Sequence, residues 1–435
     1  MKNMKKFSIY NSVIPITSES DLVYNSYSDF FIITKSAIRD FLKDTLYINE
    51  KYPDLFRTFV QTQCYVDKDI SEVNRLFEMN KQVVEDTSSF SLMINPTLDC
   101  NCSCWYCYEK HTSDSHMGLD TLNRIYMLIS KIVESNVKRL DISFFGGEPF
   151  LYYKNIVPEI IKFASKVCSV KNVNLSVFFT TNGTLITEQK LSEILFYVHP
   201  RFQITLDGSK KEHDCTRFLK NNKGSYELIL KNIKLLLENK CNVILRINYT
   251  SENLYSLYEI IEDIKDFPDS YKQLILVDLQ QVWQDRKQQE NLSAIKEVSH
   301  AFYQNGFKNV RRISLNGVMN SCYGDRINTA IVNYNGDIFK CSARDFSSKS
   351  REGYLNEKGD IIWEESYQHR LSLKFKNKSC QVCRIAPICG GGCSQSLLER
   401  EKSDMKDYCL FNKNPEKIDD IILERFKSYL IATQK

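Results

Sequence analysis

The chain has 435 residues, 43% apolar and 26% charged, and its 58 basic and 54 acidic side chains leave a formal charge of +4. This is the composition of a globular protein long enough for two or three domains with a buried core. It excludes a bilayer-spanning helix, since no apolar run approaches roughly 18 to 20 residues, and with no long basic run it suggests no nucleic-acid partner. The basic start Met1-Lys2-Asn3-Met4-Lys5-Lys6 is followed by Phe7-Ser8-Ile9-Tyr10-Asn11-Ser12, too polar for a signal-peptide core, which points to the cytoplasm. In a reducing compartment, fifteen cysteines argue for metal sites over disulfides.

Residues 1–88 read as a unit of their own. Three β-prone runs, Phe7 to Ile14, Leu22 to Tyr24 and Phe30 to Ile33, precede three helical patterns. Ala37, Ile38, Phe41 and Leu42 share one helical face, and Leu55, Phe56, Phe59 and Val60 another. The third pattern opens with Asp69 and Glu72 at capping-box spacing and carries Val73, Leu76 and Phe77. The order fits a small α+β, winged-helix-like module.

From residue 89 to 312 strands and helices alternate. The predicted strands are Phe90–Ile94, Leu140–Phe145, Asn174–Phe179, Phe202–Leu206, Val243–Asn248 and Leu274–Leu279. The clearest helices between them are Leu119–Val133, Val157–Val167, Glu188–Tyr197, Tyr226–Glu238 and Leu254–Ile264. Strands rich in Val, Ile, Leu and Phe imply an α/β fold with a parallel sheet and helices packed outside. Six such units fall short of the eight of a closed barrel, so an open, partial (β/α)6 TIM-like barrel is expected. A Gln-rich segment, Gln281 to Asn291, leads to a third region, 313–435, which is cysteine-rich and ends in an amphipathic helix near Lys417–Ile431.

Just after the first predicted strand stand Cys100, Cys104 and Cys107, spaced Cys-x3-Cys-x2-Cys. Three thiolates on one loop hold three irons of a [4Fe-4S] cube and leave the fourth iron open. Zinc would want a closed set of four, for which His111 or Cys102 is the nearby candidate; that reading ranks second and a disulfide last. The position after a parallel strand is the C-terminal mouth, where such folds keep their chemistry. Other strand ends carry polar groups: Gly146-Gly147-Glu148-Pro149, Thr181-Asn182-Gly183-Thr184, Thr205-Leu206-Asp207-Gly208 and Arg246-Ile247-Asn248, with Arg217 beyond the fourth strand. Together they suit one polar ligand, a zwitterion with a ribose and an adenine; Arg217 suits a bidentate hold on a carboxylate. A second set follows: Cys322, Cys341, then Cys380-x2-Cys383-x5-Cys389-x3-Cys393, and Cys409. Read alone, Cys380–Cys393 would also fit a zinc knuckle. Cys64, Cys168, Cys215 and Cys241 read as ordinary thiols.

The triad with Tyr106 before its last cysteine, Gly-Gly-Glu-Pro and Thr-Asn-Gly resemble the radical S-adenosylmethionine superfamily, and the second set resembles its SPASM extension, over Ser89 to Phe411. The resemblance implies three [4Fe-4S] clusters and S-adenosylmethionine, cleaved reductively to a 5′-deoxyadenosyl radical that abstracts hydrogen. It implies that Gly146, Gly147 and Glu148 meet the methionine part, with Glu148 on its amino group. Thr205 and Arg217 would reach the ribose or carboxylate, and Asn182 and Asn248 the adenosine side. It assigns one auxiliary cluster to Cys322, Cys341 and Cys393, and the other to Cys380, Cys383, Cys389 and Cys409. Seven cysteines leave one place unfilled, for Asp325, Tyr323, water or a substrate thiolate. No acid or base residue is singled out. SPASM enzymes mostly act on peptides, so the resemblance implies a maturase that cross-links (thioether or C–C) or epimerises a ribosomally made precursor peptide. An electron donor such as flavodoxin or ferredoxin would be a partner, and the N-terminal module would bind a leader peptide or merely cap the barrel. The alternatives are an anaerobic sulfatase-maturating enzyme forming formylglycine, and a non-catalytic peptide-binding scaffold. The former typically has Asp directly after the cysteine matching Cys341; here that residue is Ser342, with Asp345 the nearest carboxylate.

Overall fold

The computed structural model describes residues 4–285, 292–311, 317–401 and 409–433; the later part of the Gln-rich segment lies outside these. The chain forms two compact units, which do not follow the divisions at 88/89 and 312/313 expected from the sequence. One comprises Met1–Asp86, Leu315–Ile327 and Gln368–Lys435, the other Thr87–Ser314 and Asn328–Tyr367.

In the first unit, β1 (Lys5–Phe7), β2 (Asn11–Pro15), β3 (Ser20–Asn25), β4 (Phe30–Lys35) and β5 (Tyr65–Asp67) make two small sheets. β2, β3 and β4 form an antiparallel meander, while β1 pairs with β5. The expected run Phe7 to Ile14 is thus two strands. The Ser8–Tyr10 turn between them is fastened by the buried Glu72 carboxylate, which accepts from Ser8 Oγ and, at 3.3 Å, from Ile9 N. Glu72 is therefore not the partner of a capping box with Asp69. Ser71 caps the helix Glu72–Val84 instead, accepting from Asn74 N.

β3 is covered on both faces, and this joins the module to the cysteine-rich segment. Val23 packs with Ile38, Leu42, Ile48, Phe59 and Cys64. Leu22 and Tyr24, pointing the other way, pack with Ile385, Ile388, Ile418 and Ile422. Ser26 Oγ donates to Arg384 O at 2.6 Å, and Arg425, on the helix Pro415–Thr433, pairs with Asp29. The module and the cysteine segment are one unit because they share this core, a contact between ends of the chain that no local pattern reveals.

The second unit is built on β6 (Ser89–Ile94), β7 (Arg139–Phe144), β8 (Asn174–Thr181), β9 (Arg201–Leu206), β10 (Asn242–Tyr249) and β11 (Ile275–Gln281), parallel and adjacent in chain order. β12 (Val310–Arg311) extends this wall beyond β11. At the other side β13 (Thr329–Val332) lies parallel to β6, followed by β14 (Asp337–Phe339), β15 (Gly353–Leu355) and β16 (Ile361–Trp363) as an antiparallel meander. Residues expected in a C-terminal domain therefore continue the sheet of the α/β unit. The predicted helices stand where expected, at Leu119–Glu134, Val157–Val170, Glu188–Leu195, Tyr226–Glu238 and Leu257–Ile264. One face of each strand is apolar: Phe202, Ile204 and Leu206 belong to the core with Ile229, Ile233 and Leu236. The opposite face is left for polar side chains, and it carries the site.

Candidate active site

The polar faces of the strands and the loop after β6 enclose a cavity of about 400 Å³ lined by Cys100, Cys104, Cys107, Gly146, Gly147, Asn182, Thr205, Arg217 and Asn248. Of the residues expected at this site, only Glu148 is outside the lining. The glycines explain how the loop is held. Gly146 and Gly147 have φ of +76° and +47°, left-handed values that only glycine adopts without cost. A Cβ on Gly147 would sit 2.1 Å from Asp99 O, one residue before Cys100. Glu148 N then donates to Asp99 O at 2.8 Å, so the second strand's end is pressed against the cluster loop.

Glu148 itself is fully buried behind the wall. Its carboxylate accepts from Thr181 Oγ1 (2.7 Å), Phe150 N (3.0 Å) and Asn182 N (2.8 Å). Burial pushes its pKa up against these bonds. Two of its four acceptor sites are thus spent on orienting the third strand's end and one on its own loop, leaving one, on Oε2. Asn182 is fixed in turn, donating to Asn101 Oδ1 at 2.8 Å and accepting from Thr184 N at 2.9 Å.

Arg217 does not offer a free fork. Its Nε donates to Asp207 Oδ2 at 3.0 Å and its Nη2 to Tyr106 Oη at 2.5 Å. Tyr106 Oη also donates to Asp207 Oδ1 and accepts from Asn248 Nδ2 at 2.9 Å. Tyr106 thus ties the cysteine loop to β9, β10 and Arg217, and burial pushes its hydroxyl well above the usual value. Behind it, fully buried His213 accepts from Asp207 N at Nδ1 (3.2 Å), so its Nε2 carries the proton toward Ser225 Oγ (2.9 Å). Burial pulls His213 down to about 4, which keeps it neutral.

Sequence reasoning missed Tyr106 and Asp207 as the centre of this network, although both sit within the quoted motifs. It also missed Glu109, which accepts from Gly147 N at 2.8 Å and is pushed up to about 7 by burial. Tyr108 and Trp283 stack on the cavity wall with centroids 5.4 Å apart, and Arg344 lies over Trp283.

Three thiols of one loop facing one cavity are the donor chemistry of an iron–sulfur cluster, although no group of three His, Cys, Asp or Glu is drawn together closely enough to hold a metal ion among the described residues. Burial raises the thiols of Cys104 and Cys107 to about 11 and 12, so ionised ligands there require a cation to offset desolvation. Cys102 lies off the cavity, fully buried, its backbone N–H donating to Cys100 Sγ at 3.4 Å, in a loop bridged to Leu219. His111 remains close, with Nε2 3.5 Å from Cys107 Sγ. In the first unit, Cys380, Cys383, Cys389 and Cys409 line a separate cavity of about 290 Å³, shaped by the left-handed run Gly390–Gly392. That geometry gathers the four residues assigned to one auxiliary cluster. Cys322 and Cys393 belong to the same unit, whereas Cys341 belongs to the α/β unit.

Residues 94–266 match the family model of the radical SAM superfamily. The chain carries a radical SAM domain. It is 24% identical over 386 residues to a cysteine-type anaerobic sulfatase-maturating enzyme of Clostridium novyi (strain NT), covering 78% of this chain and 94% of the relative. It is 24% identical over 413 residues to the radical SAM cyclopropyl synthase TigE of Paramaledivibacter caminithermalis, covering 88% and 82%. Streptococcus suis SuiB, solved bound to precursor peptide SuiA, shares the fold at a TM-score of 0.54 and 14% identity, covering 93% of this chain and 98% of SuiB. The chain is thus an enzyme with a radical SAM domain, similar over most of its length to a sulfatase-maturating enzyme and a radical SAM cyclopropyl synthase. No helix among its described residues is long and apolar enough to cross a membrane.

Proposed function

We propose that the protein is a radical SAM peptide maturase which cross-links, through a thioether or C–C bond, or epimerises a ribosomally made precursor peptide. The carrying observation is the cavity in which the cysteine triad and the expected S-adenosylmethionine residues converge. The reach of the similarity supports it: TigE aligns over 88% of this chain, and SuiB, described with its precursor peptide, over 93%.

When bound, the cluster and S-adenosylmethionine supply a 5′-deoxyadenosyl radical. The chain's own residues bind and orient. Cys100, Cys104 and Cys107 would hold the cluster, and the Gly146–Gly147 backbone faces the methionine end, while Glu148 acts from behind the wall by fixing Thr181 and Asn182. The Asn248–Tyr106–Asp207–Arg217 network, rigid before any ligand arrives, sets the position of the adenosine and ribose, with Thr205 beside it. The Tyr108–Trp283 stack gives the cavity an aromatic wall. Cys380, Cys383, Cys389 and Cys409 would hold a second cluster, and flavodoxin or ferredoxin would be the reductant.

The open edges of the β2–β3–β4 sheet offer a leader peptide a place to add as a strand. The sulfatase-maturating alternative has less support, because Ser342 and Ala343 reach the cavity wall while Asp345 is not among its lining residues. The test is anaerobic turnover of the reconstituted enzyme with S-adenosylmethionine and a reductant. Formation of 5′-deoxyadenosine should rise with added precursor peptide and vanish in Cys104→Ala. Formation that ignores the peptide but responds to a sulfatase peptide would overturn the proposal.

A further inference from the structure

Among the described residues, the lining of the active-site cavity holds two arginines, Arg217 and Arg246, and a single carboxylate, that of Glu109. Glu109 follows Cys107 by two residues on the cysteine loop. Its Oε2 accepts from Gly147 N at 2.8 Å, the backbone of the turn that ends the second strand of the parallel sheet. The carboxylate has no other hydrogen-bond or ion-pair partner among the described residues. Its second oxygen is therefore an open acceptor, beside the glycine backbone expected to face the methionine end.

Neither arginine neutralises it. Arg217 is held by Asp207 and Tyr106, and Arg246 Nε donates to Asn248 Oδ1 at 3.0 Å, so both stay with the fourth and fifth strands of the parallel sheet. Glu148 stands in the opposite situation. It is fully buried, lies outside the cavity lining, and is occupied by Thr181, Phe150 and Asn182. Of the two carboxylates at this turn, one braces the wall and the other faces the cavity with acceptor capacity to spare. A carboxylate drawn out of water with one hydrogen bond recovers little of its hydration, and charge-assisted N–H donors restore the most.

We infer that Glu109, and not Glu148, is the carboxylate that accepts from the α-amino group of S-adenosylmethionine. The inference rests on the reading of this cavity as the S-adenosylmethionine site. Glu109 then serves two neighbours at once: one oxygen holds Gly147 N, and the other takes the amino N–H. Glu148 is left as a positioning residue, acting on the ligand only through Thr181 and Asn182.

The test is calorimetric binding to the anaerobically reconstituted full-length chain, with iron content measured alongside. Two ligands are compared: S-adenosylmethionine and its analogue with hydrogen in place of the α-amino group. Glu109→Gln keeps a carbonyl oxygen for Gly147 N but loses the charge. It should bind S-adenosylmethionine about tenfold or more weakly, with iron content and affinity for the desamino analogue unchanged. Glu148→Gln should weaken both ligands by the same factor. Equal weakening of both ligands in Glu109→Gln, no weakening of either, or loss of iron would make Glu109 a brace of the loop and overturn the inference. An amino-selective loss in Glu148→Gln would overturn it too. Where the analogue binds too weakly to measure, 5′-deoxyadenosine, which lacks the whole methionine part, replaces it with the same outcomes. A parent that takes up iron yet binds no S-adenosylmethionine would sink the reading of the cavity itself, and the inference with it.

Discussion

Gly147→Ala tests how the radical SAM site is assembled without touching a cluster ligand. At φ +47° an alanine costs about 1–2 kcal/mol from backbone conformation alone. Its Cβ would also lie 2.1 Å from Asp99 O, 2.8 Å from Asp99 C and 2.8 Å from Leu98 C. All three are backbone atoms of the cluster loop, so no flexible side chain can yield. Ordinary contact is restored only if the loop before Cys100 retreats by about 1 Å, a misplacement that costs on the order of 100-fold in rate. The assay is 5′-deoxyadenosine formation together with iron content after anaerobic reconstitution. Gly118→Ala is the control, since nothing lies within 4 Å of its Cβ. Formation of 5′-deoxyadenosine by Gly147→Ala within about twofold of the unmodified protein would refute the argument that this glycine seats the loop.

Tyr106→Phe leaves Arg217 Nη2, Asn248 Nδ2 and Asp207 Oδ1 without their common partner, a loss of about 1–3 kcal/mol. S-adenosylmethionine should bind roughly tenfold or more weakly by calorimetry while iron content is unchanged. His213 should make stability pH-dependent with a known sign. Its folded pKa of about 4 lies below the ordinary 6.5, so the unfolded chain binds more protons between these values. Its stabilisation is complete above 6.5 and is lost as pH falls toward 4; in thermal melts His213→Gln should show a smaller loss than the parent over that window. On the three-cluster content that the resemblance implies, Cys389→Ala should lower iron content by about one third.

The six parallel strands were legible because each is a short apolar run bounded by turn residues, and Tyr226–Glu238 matches its helix end to end. Their two faces were not. Phe202, Ile204 and Leu206 advertise the core, while Gln203 and Thr205 between them line the cavity, and only the fold says which face is enclosed. That Cys100, Cys104 and Cys107 meet at one cavity was legible from their close spacing on one loop. The position of Glu148 was not, because Thr181 and the Asn182 backbone, which capture its carboxylate, are distant in sequence. Nor were the units: β13 joins β6, and β3 shares a core with Ile385 and Ile422, across separations no local pattern encodes.

The central claim is tested most directly by the mass of a short precursor peptide, encoded beside the gene, after anaerobic co-expression with the enzyme in deuterated water. The account predicts loss of two hydrogens per cross-link, or one deuterium gained per epimerised residue, neither occurring with Cys104→Ala. A peptide that emerges unchanged and unlabelled, while a sulfatase peptide is converted to formylglycine, would contradict it.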